Sequence, residues 1–172
     1  IGIDIERHKD RDKRIVFNKV DATNYLKKNK NKFDLILIKQ TIHLIGLNKI
    51  KKFLYLLKKN LNSNGKAIIL ILDDKKNEIP TFKLMKYKLK RSLEKDNKII
   101  KFINKNYPYA IKKEFTYQVR INKKKYLKMI KNRYISTLLS FSENQILKGI
   151  KEINLKYGEF IFFKDKLICI IL

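Results

Sequence analysis

Two short apolar runs constrain this chain more than any other feature. FDLILI occupies residues 33–38 and AIILIL residues 67–72. Each is strand-sized, and neither alternates apolar with polar residues. A continuous apolar strand is expected where both faces of a sheet are covered, as in parallel sheets. Between the two runs, Ile50, Phe53, Leu54, Leu57 and Leu61 recur at the spacing of one helical face. Strand, amphipathic helix, strand predicts a parallel α/β sheet.

Further elements extend the pattern in both directions. IGIDI at the start and IVFNKVDA near residue 20 read as strands, joined by the charged stretch ERHKDRDKR. ATNYLKKNKNK offers about one helical turn and then a polar loop. NSNG after the first long helix predicts its end, with Gly65 in a left-handed cap. Thr81 to Ile103 reads as a basic helix with an apolar stripe, broken by NYPY. EFTYQVRI alternates and reads as a strand. Lys123–Lys131 and Glu143–Tyr157 read as helices, the second capped by Ser142 with Gln145 as its capping-box partner. FIFFKDKLICIIL closes the chain as a strand, with a possible kink or turn at Lys164–Asp165.

Length bounds the organisation. A chain of 172 residues with 44% hydrophobic content predicts a single domain with a real core, spanning 1–172. No apolar run approaches the roughly 20 residues that cross a bilayer, so no membrane association is expected. The single Cys169 sits in an apolar run and reads as a buried, inert thiol. Both points fit the cytoplasm. The formal charge of +26 invites a polyanion partner. The excess is nearly all Lys, however, scattered through every segment and accompanied by Asn and Ile. All three have codons rich in A and T, so codon bias is favoured over a polyanion partner as the source of the charge, both readings staying open, and weak nonspecific nucleic-acid binding is an expectation.

The order of these segments resembles the seven-stranded, Rossmann-like S-adenosylmethionine-dependent methyltransferases. GIDI is similar to that family's second strand, VDATNYL to its third strand and following turn, and FDLILIKQTIHLI to its fourth strand and the segment that lines the site. LKKNLNSNGKAIIL resembles the turn into the fifth strand. A helical insertion after that strand, here 78–108, and NRYIST in place of a later substrate-side motif resemble the small-molecule branch. The resemblance implies a three-layer α/β sandwich with a mostly parallel central sheet in the order 3-2-1-4-5-7-6. It also implies a glycine-rich loop after the first strand, and this sequence contains no counterpart of either. The expectation is a fragment whose first strand and loop lie upstream, inactive by itself. The rival is a degenerate protein that has closed the gap and lost activity.

The same resemblance assigns residues. Asp4, with Ile5 beside it, would hold the two ribose hydroxyls of S-adenosylmethionine, because a carboxylate accepts both hydrogen bonds. Asp21 would accept from the adenine amino group and Ala22 would leave room for the ring, although an Asp here also suits a turn. Lys39 and Gln40 would border the cofactor. Thr41, His43, Arg133 and Tyr134 would face a small-molecule acceptor. Arg133 would clamp an acidic one, such as a carboxylate. His43 is the candidate general base, against a purely structural role at a helix cap. His8 reads as solvated, and no metal is expected. Residues 78–108 would form a lid. Two further functions stay open. One is an inactive methyltransferase-like domain that binds RNA or protein. The other is an RNA methyltransferase, whose Lys-Asp-Lys-Glu tetrad fails to match at Lys39-Gln40 and Asp73.

Overall fold

The computed structural model describes residues 1–6, 12–73 and 76–172. His8, Asp74 and most of the Glu6–Arg14 connection lie outside the described residues. The element order is β1 (Gly2–Asp4), β2 (Phe17–Lys19), α1 (Ala22–Lys28), β3 (Phe33–Lys39), α2 (Leu47–Lys59) and β4 (Leu61–Leu72), then α3 (Lys83–Asn106), β5 (Ile111–Asn122), α4 (Lys123–Lys131), α5 (Glu143–Lys156) and β6 (Phe160–Ile171). Short 3₁₀ turns at Ile42–Leu44 and Ser136–Leu138 complete it. No helix among the described residues is long and apolar enough to cross a membrane.

The strands form two sheets. β1 pairs with β2 in parallel, Ile3 opposite Asn18. The other four follow the order β3-β4-β6-β5. The four-stranded order corresponds to the 4-5-7-6 part of the order the resemblance implies, and the β1-β2 pair to its 3-2 part. The direction differs from the expectation, because the larger sheet is mixed and not mostly parallel. β3 and β4 pair in parallel, Ile36 opposite Ala67, whereas β6 is antiparallel to both of its neighbours, β4 and β5. The cause is local. The excursion through α4 and α5 leaves the end of β5 and returns at the same place, with Asn122 opposite Phe160 and the Lys123 amide donating to the Glu159 carbonyl at 2.8 Å. A chain that returns where it left pairs antiparallel.

The helical layers also depart from an even three-layer sandwich. One core packs Ile50, Phe53, Leu54 and Leu57 of α2, and Ile99, Ile100 and Ile103 of α3, against Ile69, Ile71, Ile168 and Ile170. A second packs Phe82, Met85, Tyr126, Ile130 and Ile146 against Ile161. Ile161 differs in parity from Ile168 and Ile170 along β6, so the two cores lie on opposite faces and at opposite ends of the sheet. The long α3 serves both, its first turn in one and its last turns in the other. Over β3, the face opposite α2 stays open. Leu35 and Leu37 are 56% and 57% exposed, which corrects the expectation that β3 is covered on both sides.

Two further corrections concern NSNG and the last strand. α2 is closed by Asn60 and not by Gly65, and NSNG belongs to β4. Register jumps from Phe33–Leu61 to Leu35–Lys66, so four residues of β4 lie opposite one of β3. Gly65 is needed there for space: a Cβ would lie 2.6 Å from the Phe33 carbonyl oxygen. β6 runs unbroken through Lys164 and Asp165. The capping box of α5 forms as expected, with Ser142 and Gln145 each accepting the other's amide.

Candidate functional site

A cleft of about 510 Å³ separates β1 from β3. Its apolar length is walled by Gly2 and Ile3 on one side and by Leu35, Ile36 and Leu37 on the other, with Phe53 and Leu57 of α2 below. Asp4, Ile5, Asp21, Ala22, Lys39 and Thr41 line it too. Of the six residues expected to hold a cofactor, five therefore meet in one cleft. They do so because β1, β2 and β3 end close together, and ligands in open α/β sheets bind beyond strand carboxyl ends.

The carboxylates are held locally. Asp4 Oδ1 accepts the Glu6 amide at 3.0 Å. Asp21 is the N-cap of α1, its Oδ1 accepting the Asn24 amide at 2.9 Å. Such a cap satisfies one of the amides that a helix start leaves over. The turn-forming and site-lining readings of Asp21 are compatible, since one side chain does the first and borders the cleft. Gln40 is not among the lining residues. Its φ of 54° puts a non-glycine residue in the left-handed region as β3 ends, and its amide donates to the Leu70 carbonyl at 2.7 Å.

His43 turns away from the cleft toward α3. Its Nδ1 lies 3.2 Å from Asp96 Oδ1, with both side chains largely buried. The two atoms are close enough for an ion pair but out of line for a hydrogen bond. Asp96 escaped the sequence reading, although a signal exists. Leu89, Leu93, Asp96, Ile100 and Ile103 share one face of α3, and a carboxylate within an apolar stripe needs a partner. Asn60 carries the same kind of signal at the end of the α2 stripe. Its amide donates to the Leu26 and Leu56 carbonyls, and its Oδ1 accepts from Asn29. That network ties α1, and with it Asp21 and Ala22, to the body of the protein.

The remaining expected residues lie elsewhere. Arg133 follows α4 with φ of 55°, and its Nη1 donates to the Leu138 and Phe141 carbonyls, both at 2.6 Å. It fastens the turn before α5 and borders a separate shallow depression with Lys131 and Glu143. The Tyr134 and Tyr126 hydroxyls lie 3.0 Å apart, and Tyr126 donates to the Pro80 carbonyl at 2.6 Å. Burial pushes both phenols above their ordinary range. Asp165 lies near Tyr134 and Lys39. Burial raises its carboxyl, and the Lys39 ammonium opposes that rise. Among the described residues, no three His, Cys, Asp or Glu side chains cluster as metal ligands.

Fold and cleft together define an α/β protein with a site between two parallel strand pairs. No family model and no curated protein matches the sequence. Among solved structures, the chain is similar to the plantazolicin methyltransferase BpumL, determined with a pentazolic desmethyl-plantazolicin analogue and SAH. The TM-score is 0.37 at 14% identity, over 88% of this chain and 58% of that one. This chain thus spans 58% of that protein's length. A likeness so distant carries neither fold nor activity across.

Proposed function

We propose that this chain forms part of an S-adenosylmethionine-dependent methyltransferase acting on a small molecule. One observation carries the reading: Asp4, Ile5, Asp21, Ala22, Lys39 and Thr41 line a single cleft at strand carboxyl ends. The residues fit the nucleoside half of the cofactor. Asp4 accepts from ribose hydroxyls, Asp21 accepts from an exocyclic amine, and Ala22 leaves room for a flat ring. When bound, the cofactor supplies an activated methyl group, and the protein supplies orientation and exclusion of water. Thr41 borders the end where an acceptor would approach, whereas α3, expected as a lid, packs into the two cores and contributes no lining residue. Arg133 is engaged with carbonyls away from the cleft, so nothing here favours a carboxylate over other acceptors.

Nitrogen–proton correlation spectra during titration with S-adenosylhomocysteine test the reading. The amides of Ile5 and Ala22 are expected to shift. Asp4→Asn and Asp21→Asn preserve the local turn and cap, because Asn accepts the same amide bonds. Each should weaken binding by about tenfold, the worth of a charge-assisted hydrogen bond. Shifts that are absent at millimolar ligand, or unchanged in both variants, would refute the assignment.

A further inference from the structure

The hairpin of β5 and β6 carries a surface quite separate from the cleft, and none of its residues lines that cleft. Residues directly opposite in an antiparallel pair point to the same face. Thr116, Gln118, Arg120 and Asn122 of β5 therefore share a face with Lys166, Lys164, Phe162 and Phe160 of β6. Ile161 and Phe163 point the other way, into the second core. Phe160 and Phe162 stay in water, 37% and 67% exposed. The Arg120 guanidinium lies 4.3 Å from the Phe160 ring centre and 5.9 Å from that of Phe162, a cation–π arrangement on both rings. Thr116, Gln118, Arg120 and Lys164 are exposed beside them, so the rings stand among polar and cationic groups rather than in an aliphatic patch. Glu114 on this face and Glu78 beside it are each engaged by a lysine, Lys76 at 3.0 Å and Lys166 at 3.4 Å. Among the described residues, Lys112, Arg120 and Lys164 enter no ion pair.

We propose that this face binds single-stranded nucleic acid, with unpaired bases stacked on Phe160, Phe162 and Arg120 and phosphates held by the adjoining cations. Charge complementarity selects the partner. Three cations without a carboxylate face the solvent here, on a chain of formal charge +26, and a phosphate backbone supplies the opposite charge. The rings select the form of that partner. Phe160 and Phe162 stand two residues apart on one strand, about 7 Å along it, so neighbouring bases of a stretched strand can each meet a ring. The exposed guanidinium of Arg120 adds a third flat surface. Thr116 and Gln118 offer donors and acceptors to base edges. A duplex keeps its bases stacked inside and presents no free ring faces, so an unpaired strand fits and a duplex does not. A membrane fits less well, because it takes up a broad apolar face, and here Thr116, Gln118 and Arg120 flank the rings.

Fluorescence anisotropy of a labelled uridine oligonucleotide, about ten nucleotides long, against the whole 172-residue protein tests this. Uracil has no exocyclic amine, so the probe does not suit the adenine position proposed at Asp21. At about 100 mM salt the single strand should bind more tightly than an RNA duplex of the same length. The duplex carries more charge, so diffuse attraction alone would reverse that order. Phe162→Ala should weaken binding about tenfold, and Phe160→Ala with it should weaken binding further. Circular dichroism should stay unchanged in Phe162→Ala, because that ring is already exposed. Arg120→Ala should weaken binding and lower the slope of log affinity against log salt by about one. Nuclear Overhauser contacts should join base protons to the Phe162 ring. Three outcomes overturn the proposal: no single-strand binding at that salt, a duplex that binds as tightly or more tightly, or an affinity that both phenylalanine variants leave unchanged. Vesicles containing phosphatidylserine serve as the rival probe. Capture by them that needs Phe162, without oligonucleotide binding, would make a membrane the partner. The methyl-transfer reading is tested separately, since the Ile5 and Ala22 amides report on the cleft alone.

Discussion

Asn60→Asp is the sharpest test of how the cleft is held open. Asn60 is 4% exposed and stands where α1, α2 and β3 meet. Its side-chain amide donates to the Leu26 carbonyl at 2.9 Å and the Leu56 carbonyl at 2.8 Å. Its Oδ1 accepts from Asn29 at 2.6 Å, and its backbone carbonyl accepts the Phe33 amide at 2.9 Å. Aspartate keeps the shape and the Asn29 bond. It replaces the donor with an oxygen that faces two carbonyl oxygens.

The magnitude follows from those partners. Two donated bonds are lost, at about 1 kcal/mol each. Leu56 keeps a donor, because the residue-60 backbone amide also reaches it at 3.1 Å. Leu26 does not, and a bare buried carbonyl costs about 1–3 kcal/mol. The expected loss is therefore about 3–5 kcal/mol, before any penalty for burying the new charge. Urea unfolding followed by circular dichroism reads it. With a slope of about 2 kcal/mol/M, the midpoint should fall by roughly 1.5–2.5 M. Hydrogen exchange should show the amides of β1, β2 and α1 losing protection first, since this network holds their wall to the body. A midpoint shift below about 0.5 M at unchanged slope would refute the reasoning.

Two other perturbations have definite signs. Arg133→Ala removes two charge-assisted bonds to the Leu138 and Phe141 carbonyls. It should cost about 2–4 kcal/mol in urea unfolding and leave nucleoside binding at the cleft unchanged. Asp165 holds its proton more tightly in the folded state than in the unfolded one, because burial outweighs the Lys39 ammonium. Its contribution is therefore present at acid pH and is lost as pH rises from the ordinary carboxylate range through the raised value. Asp165→Asn should remove that decline and raise the thermal midpoint at neutral pH relative to the native chain. A lower midpoint would contradict the assignment.

The sequence was most legible where pattern and packing agree. The stripe at Ile50, Phe53 and Leu57 fixed α2, and the Ser142–Gln145 pair marked the start of α5 to the residue. Five expected cofactor residues reached one cleft because each closes a strand or opens a helix, positions that motif order reveals. Legibility failed where a residue's role depends on a distant backbone. Gly65 looked like a cap, but the demand on it comes from Phe33, which is 32 positions away in sequence. His43 could be placed after β3, yet its direction depends on Asp96, 53 positions later. Arg133 read as a clamp because Arg is rare here, and the carbonyls that take it lie on a turn with no periodic signal. Continuous apolar runs implied coverage on both faces, whereas Leu35 and Leu37 are more than half exposed on the face of β3 away from α2.

The charge of the cleft narrows what can enter its polar end. The protein carries a formal +26, so its field draws phosphates to the surface. The cleft end inverts that preference, because it presents two carboxylates, Asp4 and Asp21, against one ammonium, Lys39. Carboxylates accept from hydroxyl and amine donors and repel phosphate oxygens. An uncharged nucleoside therefore suits this end better than a nucleotide, and an RNA backbone suits it least. Adenosine and adenosine monophosphate, titrated separately while the Ile5 and Ala22 amides are followed, should separate the cases. Adenosine should shift both amides at the lower concentration, and the monophosphate should act mainly on exposed lysines in a salt-dependent way. If the monophosphate binds the cleft tenfold more tightly than adenosine, Lys39 dominates the site. The two carboxylates would then be only a turn and a helix cap, and the nucleoside assignment would fall with them.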